Sequence, residues 1–294
     1  MIGYNEVRGW RLGMKITVAK SAGFCFGVKR AIDMAKASSK KKEPVYMLGD
    51  IVHNENVVRD IESAGIKKIK NISRIQGGSS LLIRAHGSSQ KTIEKAHSLE
   101  LEVIDATCPM VKEIHKVVRD MDKKGYWVAV IGDYNHDEVQ GIVGQIQHKA
   151  IVLEDIADIE KKIPPGLKKL AVVVQSTQNL EKVLKMQGIL KERVWDLKFH
   201  NTICSPTRLK QDEIKTLPKK NDRIVVIGSK TSANTKRLHE IAKSINQNSY
   251  WVKSSADSKK EWFKGVKSVG ITAGASTPDE TIQEVKEYIQ KITA

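Results

Sequence analysis

Cysteine is scarce in this chain, with three in 294 residues, an odd number spread far apart. That spacing excludes the disulfide framework of small secreted domains. No two cysteines lie close enough to form the short knuckle from which zinc sites usually draw two ligands. Aromatic residues make up only 5%, so packing must be aliphatic, which suits α/β layers. No stretch approaches about 18 consecutive apolar residues, and no transmembrane helix is expected. The first 13 residues, MIGYNEVRGWRLG, lack the apolar core of a signal peptide. They read as an N-terminal extension ahead of a second possible start, Met14, and the chain is expected in the cytoplasm.

What is abundant is positive charge: 50 Lys and Arg against 34 Asp and Glu, a formal +16. Nucleic acid, an anionic small molecule or an acidic protein would each suit that balance. The lysines fall in short clusters such as Lys40 to Lys42 and Lys219–Lys220, with no aromatic side chains interleaved. Single-strand binding would want such interleaving, so a nucleic-acid partner is not expected, nor is a membrane. By itself the charge describes a solvated, lysine-rich surface.

The three cysteines stand in GFCFGVKRAI (Cys25), DATCPMVKEI (Cys108) and NTICSPTRLK (Cys204), each where a helical pattern begins. Each is followed at one interval, 24 positions, by a glycine closing an apolar strand-like run: Gly49, Gly132 and Gly228. Agreement across every cysteine in the chain implies a threefold internal repeat that gathers three thiols at one centre. Strand and helix patterns alternate throughout, from MKITVAK to PDETIQEVKEYIQKI. The expectation is an α/β protein of three pseudo-repeated units with small, mostly parallel sheets, arranged as a trefoil around that centre. The units are drawn at residues 14–107, 108–203 and 204–294.

In such sheets ligands bind beyond the carboxyl ends of the strands, at helix N-termini. Four positions after the strand-closing glycines stand His53, His136 and Ser232; six positions after stand Glu55, Glu138 and Asn234. The last strand of each unit ends at His86, at Ser176–Thr177 and near Ser276. Imidazoles, hydroxyls, an amide and helix N-termini together make a cradle for a phosphate or diphosphate. The five remaining histidines, His97, His115, His148, His200 and His239, are read as surface or packing residues. Three thiolates from three helix starts match a 4Fe–4S cluster that keeps one iron open as a Lewis acid. Zinc held by three cysteines and one histidine is the competing reading.

The ordered motifs GFCFGVKRAI, GDIVHNENV, IRAHG, DATCPMVKEIHK, GDYNHDEVQG, QSTQN, ICSPT, GSKTSANTKRL and TAGAS resemble the 4-hydroxy-3-methylbut-2-enyl diphosphate reductase family, from about Met14 to the C-terminus. The resemblance implies a three-lobed α/β fold around a central 4Fe–4S cluster held by Cys25, Cys108 and Cys204, with one open iron. It implies an oxidoreductase at the last step of the methylerythritol phosphate route to isoprenoids. The substrate would be an allylic diphosphate, dehydroxylated by two electrons to isopentenyl and dimethylallyl diphosphate. His53, His86, His136, Ser232, Asn234 and Ser276 would hold the diphosphate. Glu138 would deliver protons, assisted by Ser176 and Thr177, with its pKa raised beside the anion.

Two positions depart from the family pattern. Ala233 stands between Ser232 and Asn234 where a second serine is common, which removes one hydroxyl. Gln175-Ser176-Thr177 replaces a Gln-Thr-Thr run, leaving open which hydroxyl serves Glu138. The basic surface would suit an acidic electron donor such as a ferredoxin or flavodoxin.

Overall fold

The structure is a computed structural model that describes residues 14–293; the extension expected over residues 1–13 lies outside the described residues. Twelve strands run along the described chain: β1 (Lys15–Val18), β2 (Val45–Leu48), β3 (Lys67–Ile69), β4 (Ser80–Ile83), β5 (Glu102–Asp105), β6 (Trp127–Ile131), β7 (Ala150–Leu153), β8 (Lys169–Val174), β9 (Asp196–Phe199), β10 (Arg223–Ile227), β11 (Ser249–Val252) and β12 (Ser268–Ala273). The helices are α1 (Phe26–Ser38), α2 (Glu55–Ser63), α3 (Gln90–Ser98), α4 (Pro109–Lys123), α5 (Asp137–Val143), α6 (Ile156–Lys162), α7 (Leu180–Arg193), α8 (Ser205–Thr216), α9 (Ala233–Ile245) and α10 (Asp279–Thr293). No helix among the described residues is long and apolar enough to cross a membrane.

The strands form three four-stranded sheets, ordered β3-β2-β4-β5, β7-β6-β8-β9 and β11-β10-β12-β1. Every pairing is parallel. Parallel strands are buried on both faces and read as continuous apolar runs, as in SLLI, WVAVI and RIVVI. Successive side chains alternate between two apolar layers. Met47 and Leu82 pack with Ile61 on one face of the first sheet, while Leu81 and Ile83 pack with Ala96 on the other.

The third sheet corrects the unit boundary drawn at residue 14. The strand at the start of the first unit, β1, pairs instead with β12, from Lys15 opposite Ser268 to Val18 opposite Ile271. The reason lies in the repeat itself. Each strand leading into a cysteine joins the sheet of the preceding unit: β5 before Cys108, β9 before Cys204 and β1 before Cys25. The chain start therefore completes the last sheet and closes the ring.

In each sheet the first strand after the cysteine helix sits inside, with its two successors on opposite sides. The strand order thus reverses between β2 and β4, between β6 and β8, and between β10 and β12. Crevices at such reversals are where open α/β sheets bind ligands. The three crevices face one another at the centre of the trefoil.

Candidate active site

Cys25, Cys108 and Cys204 are the N-cap residues of α1, α4 and α8. Proline in the first turn of α4 and of α8 fixes their start, since a missing N–H costs nothing there. Each cysteine is anchored by its backbone to the loop beyond a neighbouring strand. Cys25 N–H donates to Ala275 C=O at 3.1 Å, Cys108 N–H to Ala85 C=O at 2.9 Å, and Cys204 N–H to Ser176 C=O at 3.1 Å. Those acceptors directly precede Ser276, His86 and Thr177, so one repeated hydrogen bond sets a cysteine beside each polar strand end. The thiols are free and half-buried. Burial pushes the Cys108 and Cys204 thiols up in pKa, opposed by nearby amide groups and, for Cys204, by the Thr207 hydroxyl at 3.2 Å. A side chain at Gly27 would collide with Cys108 Sγ, so glycine is required where α1 meets α4.

All twelve residues to which the resemblance gives a role line one cavity. Its apolar walls include Val28, Val52 and Met110. On one side stand three imidazoles: His53 and His86 stacked at 4.3 Å between ring centroids, with His136 edge-on at 4.9 Å and 5.4 Å from them. Burial lowers the pKa of all three, His136 to about 4; His53 further disfavours protonation of His86 and His136, and His136 that of His86. They are neutral near pH 7.

One ring nitrogen from each histidine lies within 4.8 Å of the others, a spacing that suits a metal ion or an anion. His136 decides between them. Its Nδ1 accepts the Glu138 backbone N–H at 3.1 Å, capping α5. A neutral imidazole that accepts at Nδ1 carries its proton on Nε2. The ring therefore offers the cavity a donor rather than a lone pair, which favours an anion. His53 Nε2, His86 Nδ1 and the Asn234 side-chain nitrogen are buried without a partner. Orphaned buried groups are costly, and a many-oxygened anion would satisfy them. Ser232 caps α9 by accepting the Thr235 N–H at 3.3 Å, and the Ser276 hydroxyl donates to His53 C=O at 2.9 Å.

Glu138, 2% exposed, sits in the first turn of α5. Ser176 donates to it twice, backbone N–H to Oε1 at 2.6 Å and Oγ–H to Oε2 at 2.8 Å. Burial raises the Glu138 pKa and the two Ser176 hydrogen bonds partly restrain the rise. The lift thus exists before any anion arrives. Thr177 makes a different contact, accepting from Gln175 Nε2 at 3.2 Å.

Two neighbours of the site were missed in the sequence. Arg84 Nη1 pairs with Asp137 Oδ2 at 2.6 Å, and His53 Nε2 lies 4.0 Å from the same oxygen. Both flank called residues, Asp137 between His136 and Glu138 and Arg84 just before Ala85-His86, and that adjacency was the available signal. Glu55, the register equivalent of Glu138, does not line the cavity. It accepts the Ser229 hydroxyl at 2.9 Å, tying the first unit to the third. His115 is buried beneath Gly87.

Fold and cavity together define an α/β protein that gathers three thiols, a buried carboxyl and a neutral imidazole cradle at one centre. The family model described as "LytB protein" matches residues 16–290, and the chain belongs to that family. Its curated relatives include proteins named 4-hydroxy-3-methylbut-2-enyl diphosphate reductase. That of Geotalea uraniireducens is 41% identical over 279 residues, covering 95% of this chain and 98% of the relative. That of Aquifex aeolicus is 40% identical over 281 residues, covering 94% and 96%. A solved structure described as (E)-4-hydroxy-3-methyl-but-2-enyl diphosphate reductase, the terminal enzyme of the non-mevalonate pathway, shares 39% identity and a TM-score of 0.69, covering 95% of this chain and 99% of that one. The corresponding reductase of Plasmodium falciparum is 29% identical with a TM-score of 0.88, over 94% and 87%.

Proposed function

We infer that this chain is an iron–sulfur oxidoreductase that converts (E)-4-hydroxy-3-methylbut-2-enyl diphosphate to isopentenyl and dimethylallyl diphosphate, the last step of the methylerythritol phosphate route. The observation that carries this reading is the convergence of three free thiols, three neutral imidazoles and the buried Glu138 carboxyl on one cavity. Family membership and the names of the relatives support it.

Cys25, Cys108 and Cys204 fit a 4Fe–4S cluster with three protein ligands. The thiols have no disulfide partner, they open onto one space, and Gly27 leaves room where two of them meet. When bound, the cluster would supply electrons one at a time and an open, Lewis-acidic iron for the substrate hydroxyl.

The remaining chemistry belongs to the side chains. His53, His86, His136 and Asn234 donate N–H groups to the diphosphate, with Ser232 and Ser276 adding hydroxyls. The net reaction takes up two electrons and two protons. One proton leaves with the substrate hydroxyl as water, and the other ends on an allylic carbon. Glu138, its pKa raised by burial, is the proton source, oriented by Ser176. Thr177 faces the same cavity. The electron donor of this reading is an acidic carrier such as a ferredoxin or flavodoxin. The formal charge of +16 and exposed Lys29, Lys112 and Lys116 on the cysteine-capped helices favour it. This reading expects the enzyme to work in the cytoplasm.

The test is anaerobic assembly with iron and sulfide, followed by reduction and addition of the diphosphate. A brown protein that yields both five-carbon diphosphates is expected. A colourless protein after assembly would sink the reading.

A further inference from the structure

Beyond the ligands themselves, three cations hold the backbone that leads into the cysteines. Lys210, on α8, is 2% exposed. Its Nζ donates to the carbonyls of Ser21, of Gly23 at 3.0 Å and of Ala273 at 3.3 Å. The first two lie in the turn ahead of Cys25, and the third ends β12. Arg30, on α1, donates Nη1 to Thr107 C=O at 3.2 Å, immediately before Cys108. Arg208, on α8, donates Nε to Ile203 C=O at 3.0 Å and Nη2 to Asn201 C=O at 3.1 Å, immediately before Cys204. Each cysteine turn is thus gripped by one cation, and each cation comes from a cysteine-capped helix.

Lys210 is the most deeply placed of the three, and its acceptors are all backbone carbonyls. Burial of an ammonium is costly unless negative charge compensates it. Burial pulls its pKa down to about 8, while Cys25, Glu213, Asp279 and Cys204 act in the other direction. Glu213 is itself engaged by the Ser21 backbone N–H at 2.8 Å. Asp279 also lies within reach, and the cysteine thiolates add to it the negative charge that appears when they bind metal.

We propose that Lys210, flanked by Arg30 and Arg208, is the fixed counter-charge of the three-cysteine centre, orienting the Cys25 turn and making the bound iron–sulfur cluster easier to reduce. It rests on the functional reading above. Reduction adds one negative charge to the cluster, and a cation held at fixed position in a poorly solvated site favours the more negative state. Lys210 touches neither substrate nor reacting atoms and is a positioning residue. Its carbonyl contacts explain how orientation and charge come from one side chain.

The experiment is an anaerobic redox titration of the cluster-loaded protein, followed by electron paramagnetic resonance, for wild type, Lys210→Met, Lys210→Gln and Lys210→Arg. Iron and sulfide are measured alongside. Lower midpoint potentials are expected for the Met and Gln variants at unchanged iron content, with the Arg variant near wild type. Cluster loss in Met and Gln that Arg rescues also supports the counter-charge, because Gln keeps a donor for the carbonyls. Unchanged potentials in fully loaded Met and Gln variants overturn the proposal, as does equal cluster loss in all three. A wild-type chain that assembles no cluster overturns the functional reading, and this inference with it.

Discussion

Ser176 holds Glu138 at both carboxylate oxygens, through its backbone N–H at 2.6 Å and its hydroxyl at 2.8 Å. The two residues come from different elements, α5 and the turn after β8, and the Ser176 carbonyl also accepts the Cys204 N–H. Carboxyl position is therefore coupled to cysteine position through a single residue.

Replacing Glu138 by Gln keeps the shape and removes the titratable proton. Turnover should fall by roughly 100- to 10,000-fold, the usual worth of a positioned acid, while iron content and diphosphate binding stay intact. Steady-state kinetics and substrate titration check this, and retained turnover would remove Glu138 from the proton-donor role. Because the acid must be protonated, activity should decline as pH rises through its raised pKa. The Gln variant should lack that limb.

The two hydroxyls after β8 should separate. Ser176→Ala breaks the only side-chain hydrogen bond to Glu138 among the described residues and should lower kcat more than Thr177→Ala, whose hydroxyl meets Gln175. Equal losses in both variants would contradict this assignment.

His136 of the cradle and the buried His115 beneath Gly87 carry a stability cost in acid. His136 and His115 have folded-state pKa values of about 4, pulled down mainly by burial. Between the unfolded value near 6.5 and the folded value, the unfolded chain binds more protons. Stability is thus fully present above pH ~6.5 and is lost as pH falls toward 4, by at most on the order of 3 to 4 kcal/mol per histidine. Thermal melts of the metal-free protein across that range should show the fall. His136→Gln should flatten it. Added inorganic diphosphate should raise the melting temperature of wild type and do so less in the Gln variant.

Ala233 lines the cavity beside Asn234. Restoring a hydroxyl by Ala233→Ser should strengthen substrate binding by about 0.5–1.5 kcal/mol, one hydrogen bond. Asn234→Ala should weaken it by a comparable amount or more, since its side-chain nitrogen lacks any other partner. Isothermal titration with the diphosphate checks both, and a weaker Ser variant would count against a phosphate contact at that position.

Much of this was legible in the chain because the repeat is simple. One interval from cysteine to glycine marked three helix starts and three strand ends, and of the residues counted from those glycines all but Glu55 line the cavity. What stayed hidden depends on long-range pairing. β1 carries no local mark that it closes the third sheet rather than opening the first. The strands β3 and β11, KKI and SYWV, lie at sheet edges and lack the continuous apolar run of the inner strands. They gave no pattern to read. Glu55 matched Glu138 in register yet turned to Ser229, since register fixes position along a helix start but not the neighbour across the interface.

The most direct test of the central claim is electron counting. Holoprotein reduced anaerobically by a measured number of electrons is mixed with the allylic diphosphate, and the five-carbon products are quantified. One molecule of product for every two electrons consumed is expected, with none from a Cys108→Ser variant that has lost its cluster. A fully loaded, reduced protein that leaves the diphosphate unchanged would contradict the account.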